Sequence, residues 1–267
     1  MKLMNKNILH EALSKDQDKR DGLVYYGTFR NEWKYYISLW ECAGLRERFQ
    51  QLLMRDPHAV NGSYMIRSLY FDDYWDSAYN EKMAGVNYRK KYRIRIYDYS
   101  DHSIKLERKI KLSSFIHKDS AGITRQELEW ILEGKYDFLL HHREQLCREF
   151  YYECITNVMR PKVIVDYDRE PFILPEGDVR ITFDSHVRAA IMTNDIFDKT
   201  LPVYEVVPPD RLVMEVKFTE FLPSVIQELL PPGGQEFSAI SKYTLCYERV
   251  FYRTDVLYTL TRTEKFS

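Results

Sequence analysis

The sequence predicts an α+β fold built on a β-barrel with a charged lumen, braced from outside by helices. Segments with a charged residue at every second position recur along the chain, as Arg93-Ile94-Arg95, Lys105-Leu106-Glu107-Arg108-Lys109-Ile110-Lys111 and Met214-Glu215-Val216-Lys217. Successive side chains of a strand point to opposite faces, so each run sets its charges on one face and mostly apolar residues on the other. The charged parity carries both signs with a lean towards Lys and Arg, while the other parity is rich in aliphatic side chains suited to packing beneath helices. A cationic lumen holding a few carboxylates suits a polyanion accompanied by a metal ion.

The elements follow in order. Residues 1–24 read as a short extension closing at Asp21-Gly22, and residues 25–267 as one domain. Phe29 to Ser38 alternates as a strand, and Leu39 to Met54 then takes up a helical period through Leu45, Phe49, Leu52 and Leu53. Tyr64 to Phe71 is strand-like and breaks at Asp72-Asp73, before a short helix or loop from Trp75 to Met83 that ends at Gly85. Asn87 to Tyr99 and Ser103 to Leu112 form a hairpin about Ser100-Asp101-His102. Thr124-Arg125-Gln126-Glu127 has capping-box spacing and opens a helix through Leu128 to Leu132, with Gly134 as its stop. A further helix spans Arg143 to Val158 and closes before Pro161. Strands follow at Lys162 to Arg169, Asp178 to Asp184 and Leu212 to Phe218. Leu222 to Leu230 is helical up to Pro231-Pro232-Gly233-Gly234, and Ile240 to Tyr252 forms the final helix.

Composition excludes several classes. Lys and Arg number 39 against 40 Asp and Glu, a formal charge of −1, so no global basic field draws the chain to nucleic acid and any anion affinity is local. Cys42, Cys147, Cys154 and Cys246 lack the paired spacing of zinc or redox sites, which fits a reduced, cytoplasmic compartment. Met1 to Asp21 is too polar for a signal peptide, and no apolar run is long enough to span a bilayer. The expectation is therefore a chain that does not itself insert into a membrane, though a membrane partner could recruit it. No P-loop is present, because Gly233-Gly234 is followed by neither Lys-Ser nor Lys-Thr. The histidines show no helix-spaced zinc pair, and His141-His142 reads as an exposed helix start. The 21 Tyr and 14 Phe fall mostly on faces suited to core packing rather than base stacking.

The candidate site is the charged parity itself. Lys34, Arg93, Arg95, Lys109, Arg180 and Lys217 each fall on an expected strand. A solvated face with cross-strand ion pairs accounts for any one of these strands, but recurrence over several strands argues against it. Like charges at neighbouring same-face positions repel unless an anion sits between them, and guanidinium forks match phosphate oxygens. Glu32, Glu107 and Glu215 lie on the same faces, each two positions before a Lys. Their plain role is to neutralise those lysines. Glu215 is the metal candidate, since a hard divalent cation bound with a polyphosphate needs only one or two protein carboxylates.

Six segments in order, from about Arg30 to Tyr243, resemble a known family: Arg30-Asn31-Glu32-Trp33-Lys34-Tyr35-Tyr36, Ser68-Leu69-Tyr70-Phe71-Asp72, Lys91-Tyr92-Arg93-Ile94-Arg95-Ile96-Tyr97, Leu106-Glu107-Arg108-Lys109, Met214-Glu215-Val216-Lys217-Phe218 and Ser241-Lys242-Tyr243. The family is the VTC domain, the polyphosphate polymerase domain of the CYTH-like triphosphate tunnel metalloenzyme superfamily. The resemblance implies an eight-stranded antiparallel barrel forming a tunnel, which binds ATP and polyphosphate or pyrophosphate with Mn2+ or Mg2+ and transfers the γ-phosphoryl of ATP to a growing chain. By the same resemblance, Lys34, Arg93, Arg95, Lys109, Arg180 and Lys217 are phosphate-binding, and Arg93, Arg95, Lys109, Arg180 and Lys217 also neutralise charge during transfer. Glu215 corresponds to the metal ligand, and Ser241 and Lys242 to contacts at the tunnel end. Two departures stand out. The Glu-x-Glu-x-Lys signature of the hydrolase branch appears as Arg30-x-Glu32-x-Lys34, and no membrane span or SPX-like domain is fused, as in the soluble bacterial members. The competing readings are a triphosphate or tripolyphosphate hydrolase and a non-catalytic polyphosphate-binding module.

Overall fold

The computed structural model describes residues 29–190, 195–231 and 240–251. The expected extension over residues 1–24, the Pro232-Gly233-Gly234 stop and Tyr252 lie outside the described residues. The strands are β1 Arg30–Ser38, β2 Met54–Arg55, β3 Tyr64–Asp72, β4 Tyr88–Tyr97, β5 Ser100–Leu112, β6 Phe115–Ile123, β7 Arg160–Leu174, β8 Val179–Ala190, β9 Val203–Glu205 and β10 Arg211–Phe218. The helices are α1 Leu39–Leu52, α2 Ser77–Met83, α3 Arg125–Leu132, α4 Asp137–Leu140, α5 Gln145–Thr156 and α6 Ser224–Leu229, followed by α7 over 242–251.

Eight of the strands close into a ring in the order β7-β3-β4-β5-β6-β1-β10-β8, with β8 pairing back onto β7. Every pairing is antiparallel. The short β2 and β9 lie against β7 and β8. Closure leaves the interior parity of each strand facing a common lumen.

Local chemistry sets the boundaries. Ser38 and Glu41 form a capping box that turns β1 into α1, and Thr124 and Glu127 do the same at α3. The β4–β5 turn falls at Asp98 and Tyr99, at φ 50° and 58°, with Tyr97 paired to Ser100. Expected at Ser100-Asp101-His102, the turn lies earlier because Asp98 tolerates the left-handed region and its carboxylate accepts from the Met65 amide. Strand β6 was not expected at all. Its His117, Lys118, Asp119, Ser120 and Gly122 have little intrinsic strand preference, yet it pairs with β5 from Phe115 to Ile123. Strands β7 and β8 also run beyond the expected Arg169 and Asp184, to Leu174 and Ala190. Between them Gly177 stands at φ 78°, where an added Cβ would lie 2.8 Å from the Phe221 carbonyl oxygen.

Three apolar clusters build the body. Outside the ring, Leu69, Phe71, Tyr92, Ile94 and Leu106 pack against Leu128, Ile131, Leu139 and Phe150 of α3, α4 and α5. On the opposite outer wall, Ile181, Phe183, Met214 and Val216 pack against Leu45 and Phe49 of α1 and Ile226 of α6. The third cluster brings Ile66, Tyr70, Val163, Val165, Tyr167, Val187 and Val213 together with Ile240, Tyr243 and Cys246. These strand residues alternate with the outward ones, so α7 fills the β3-β7-β8 side of the lumen. No described helix is long and apolar enough to cross a membrane.

A buried ion pair braces the outer wall. The Arg67 Nε and Nη2 donate to Asp166 at 2.9 and 2.7 Å, and its Nη1 reaches the carbonyls of Ile196 and Asp198 at 3.0 and 2.5 Å. Both side chains are 1% exposed. Removing one partner strands a buried charge, so Asp166→Ala is expected to cost about 3 to 5 kcal/mol. The double change Arg67→Met with Asp166→Leu should recover most of that loss in denaturant unfolding; equal losses for the two variants would show that the pair is not the cause.

Candidate functional site

The lumen is lined by alternate residues of seven neighbouring segments. Strand β1 places Glu32 and Lys34 opposite Lys217 and Glu215 of β10, and β10 in turn sets Lys217 opposite Arg180 of β8. Strand β5 places Glu107 opposite Arg93 and Lys109 opposite Lys91 of β4, and Lys109 also faces Lys118 of β6. Arg169 of β7 lies opposite Asp184 of β8. Lys242 enters from the start of α7.

Two charge centres result. At the first, Glu215 Oε1 accepts from Lys242 at 2.8 Å and lies 3.2 Å from Lys34, while its Oε2 lies 3.1 Å from Lys217 and 3.5 Å from Arg169. Lys242 also reaches Asp184 at 2.6 Å, where Arg169 makes a two-pronged contact at 2.7 and 2.6 Å. Glu32 extends this centre, accepting from Lys109 at 3.0 and 2.8 Å and lying 3.5 Å from both Lys34 and Lys217. At the second centre, Glu107 accepts from Arg93 at 2.8 Å and Lys118 at 2.8 Å, with Arg95 at 3.8 Å. Tyrosines hold the two arginines: Arg93 donates to the Tyr70 hydroxyl at 2.8 Å and Arg95 to that of Tyr167 at 3.0 Å.

Electrostatics keep the four carboxylates and Lys242 charged. Burial pushes Glu32, Glu107, Asp184 and Glu215 up, but the surrounding Lys and Arg outweigh it and hold all four below the ordinary carboxylate range. Lys242 goes the other way: burial works against its charge, and Asp184 and Glu215 raise it above the usual lysine range. Lys109 is pushed down to about 7 by burial, with Glu32 opposing that shift and Lys34 and Lys217 adding to it.

The expected residues divide as follows. Lys34, Lys217, Lys242 and Glu215 meet at the first centre and Lys109 joins them through Glu32, while Arg93 and Arg95 meet at Glu107. Arg180 shares their parity, but its Nη2 donates to Asp56 at 2.7 Å and to the Tyr64 hydroxyl at 3.0 Å, at the end of the ring where β8 begins. Ser241 accepts from Lys91 Nζ at 3.3 Å at the opposite end. Glu32 and Glu107 act as neutralising carboxylates. His142 is partly buried and caps the next helix, its Nδ1 accepting from the Glu144 amide at 3.1 Å, and only His141 is exposed.

Sequence reasoning missed Arg169, Asp184, Lys91 and Lys118. Asp184 was open to discovery, since Arg180-x-Thr182-x-Asp184 keeps one parity. Arg169 follows Val163, Val165 and Tyr167 on its face, so no charge alternation marks it.

A divalent cation fits this lumen only together with phosphate. Among the described residues no three His, Cys, Asp or Glu side chains gather as a metal cage, and Glu215 stands among four cations. Both of its oxygens nevertheless face the lumen, and a hard cation carried on phosphate oxygens needs only one or two protein carboxylates.

Fold and site together define a helix-braced antiparallel ring with an ionised lumen, the tunnel class of fold. The chain belongs to the VTC domain family, whose model matches residues 29–251. Among solved structures, HpAC1 from Hippeastrum, for which a dominant triphosphatase activity is described, is similar at 15% identity and TM-score 0.49, covering 82% of this chain and 94% of its own. PH1819 from Pyrococcus horikoshii OT3 is similar at 15% identity and TM-score 0.42, covering 82% and 99%. The Pct1 RNA triphosphatase of S. pombe is similar at 9% identity and TM-score 0.35, covering 97% and 91%. No curated protein sequence matches the chain.

The Lys109 shift has a measurable consequence. Its folded pKa lies below the unfolded value of 10.5, so between those values the unfolded chain binds more protons and stability rises with pH. Relative to Lys109→Arg, whose side chain stays charged throughout, the wild-type chain is expected to gain up to about 1.4 kcal/mol per pH unit as pH rises from about 7 to about 10. Denaturant unfolding across that range checks it, and parallel stability curves would place Lys109 at its ordinary value.

Proposed function

We propose that this chain is a metal-dependent phosphotransferase that makes polyphosphate from ATP, moving the γ-phosphoryl group to the end of a growing chain inside the lumen. One observation carries the reading: in a chain of the VTC domain family, Lys34, Lys91, Arg93, Arg95, Lys109, Lys118, Arg169, Lys217 and Lys242 converge on a closed lumen where Glu32, Glu107, Asp184 and Glu215 are the facing carboxylates. The surplus is cationic, and a polyanion neutralises it.

Transfer between phosphates asks little covalent chemistry of the protein. The acceptor is an ionised phosphate oxygen, already a nucleophile, so no general base is required. The in-line displacement moves the γ-phosphoryl from the ADP oxygen to that oxygen, with negative charge spread over the equatorial oxygens. Arg93 fixed by Glu107 and Tyr70, Arg95 by Tyr167, and Arg169 by Asp184 present guanidinium forks whose orientation is set before substrate arrives. Lys34, Lys109 and Lys217 neutralise the oxygens between them. A divalent cation, manganese or magnesium, held by Glu215 and phosphate oxygens would supply further neutralisation of the transferring group. The buried free thiols of Cys42, Cys147, Cys154 and Cys246 support a reducing, cytoplasmic setting.

Purified protein incubated with ATP and manganese, with products resolved on a gel stained for polyphosphate, tests the reading. Long chains are expected. Free phosphate alone would make the chain a hydrolase, and retention of added polyphosphate without any turnover would make it a binding module.

Glu215→Gln separates metal chemistry from charge pairing. The change keeps the side-chain size, removes the metal-holding charge and releases Lys34, Lys217 and Lys242 from their shared partner. Turnover is expected to fall by about a hundredfold or more, while polyphosphate affinity holds or rises. Normal turnover with an unshifted manganese requirement would remove Glu215 from the mechanism.

A further inference from the structure

Strand β8 sets Arg180, Thr182 and Asp184 on its inner face, alternating with Ile181 and Phe183 of the outer cluster. Arg180 is tied to Asp56, and Asp184 to Arg169 and Lys242. The Thr182 side chain between them is 0% exposed, and its hydroxyl has no hydrogen-bond partner. The other buried unpaired side-chain atoms among the described residues belong to Arg30, Asp76, His117, Arg180 and Arg188, and each of those side chains is held through another of its atoms. Thr182 has only the one polar atom. Ser68 of β3, equally buried, accepts from Arg95 at 3.3 Å. A hydroxyl shut away without a partner costs free energy that a methyl group in its place does not. Valine has the same branched shape and the same preference for strands, so packing gives no reason for the hydroxyl.

The surroundings of Thr182 select the ligand. Thr182 stands opposite Glu215 of β10 on one side and Pro171 of β7 on the other. Lys217 and Arg169 are its diagonal neighbours on those two strands, and diagonal side chains on one face start roughly 7 to 8 Å apart, within reach of long residues. Both of these cations lie on the same carboxylate oxygen, Glu215 Oε2, at 3.1 and 3.5 Å. An anion that draws Lys217 and Arg169 off that oxygen lies over Thr182. Phosphate suits the place, because separate oxygens of one tetrahedral group can meet the guanidinium, the ammonium and the hydroxyl at once. The hydroxyl donates there without adding another charge beside Glu215.

We propose that Thr182 is an uncharged phosphate contact of this site, its hydroxyl donating to an oxygen of the phosphoryl unit held between Arg169 and Lys217 on the β8 wall. The inference rests on the polyphosphate reading and deepens it, since it adds a contact that selects by direction rather than by charge. A lysine ammonium on its flexible stem follows a phosphate over a range of positions. A β-branched hydroxyl is stiff about its first side-chain bond, so it rewards only an oxygen in register with the strand. Thr182 thereby fixes where along the lumen one phosphoryl unit comes to rest.

The test compares the full chain as wild type, Thr182→Val and Thr182→Ser in two measurements, denaturant unfolding without ligand and binding of tripolyphosphate. Thr182→Val is expected to unfold at the same or a higher midpoint, since it removes a buried hydroxyl that has no partner. Its affinity for tripolyphosphate should nevertheless fall about tenfold, the worth of one charge-assisted hydrogen bond, and Thr182→Ser should keep most of the wild-type affinity. A clear drop in the Thr182→Val midpoint would give the hydroxyl a partner within the protein and overturn the proposal. Unchanged affinity in Thr182→Val, or equal losses in both variants, overturns it as well and leaves the proposed function standing. A wild-type chain that binds no tripolyphosphate overturns the proposed function and the contact together.

Discussion

A charge enclosed by a sheet must find a partner, and that requirement organises this molecule. The closed ring shuts its inner parity away from bulk water, where an unpaired lysine or glutamate would be driven to neutrality. The chain answers with carboxylates shared among several cations. Glu215 serves Lys34, Lys217, Lys242 and Arg169, and Glu32 serves Lys34, Lys109 and Lys217. Sharing lets fewer acids serve more bases, so the lumen is still short of negative charge when empty. That shortfall is the chemical character of the site.

The same requirement explains the outer layers. Interior positions spent on charge contribute no apolar core, so the fold draws its hydrophobic stability from the outer walls under α1 and α3 to α6, and from the apolar sector into which α7 docks. Lys242 belongs to both roles. It begins the docking helix and carries the ammonium that joins Asp184 to Glu215, so seating the helix and completing the charge network are one event.

Legibility in the sequence tracked the strictness of alternation. Arg93-Ile94-Arg95 and Glu215-Val216-Lys217 announced both strand and inner face, because nothing but a strand of period two brings those charges together. Arg169 was hidden by Val163, Val165 and Tyr167, which share its inward parity where the lumen turns apolar to receive α7. Lys118 was hidden with β6, a strand formed by its neighbours on both edges rather than by its own residues. The helix after Ile240 was readable from its period, but its place inside the ring was not, since an amphipathic pattern tells that a face is buried and not against what. Arg180 shows a further limit: parity put it in the lumen, and Asp56, from the segment between α1 and β3, draws its guanidinium aside.

The ring is closed by strands from opposite ends of the chain. Strand β1 pairs along its length with β10, joining Asn31 to Phe218 and Ser38 to Arg211, and Lys242 arrives later still. During synthesis the first strand therefore waits for nearly the whole domain before its partner emerges, and Glu32 and Lys34 stay in water until then. Such sequence-distant pairing makes folding slow, since the entropy of a long loop is lost before the contacts that reward it form. A truncated product lacking β10 has an open sheet with bare edges on β1 and β8, prone to pair with other chains, and no enclosed charge. Completeness of the polypeptide is thus a condition for the lumen to exist.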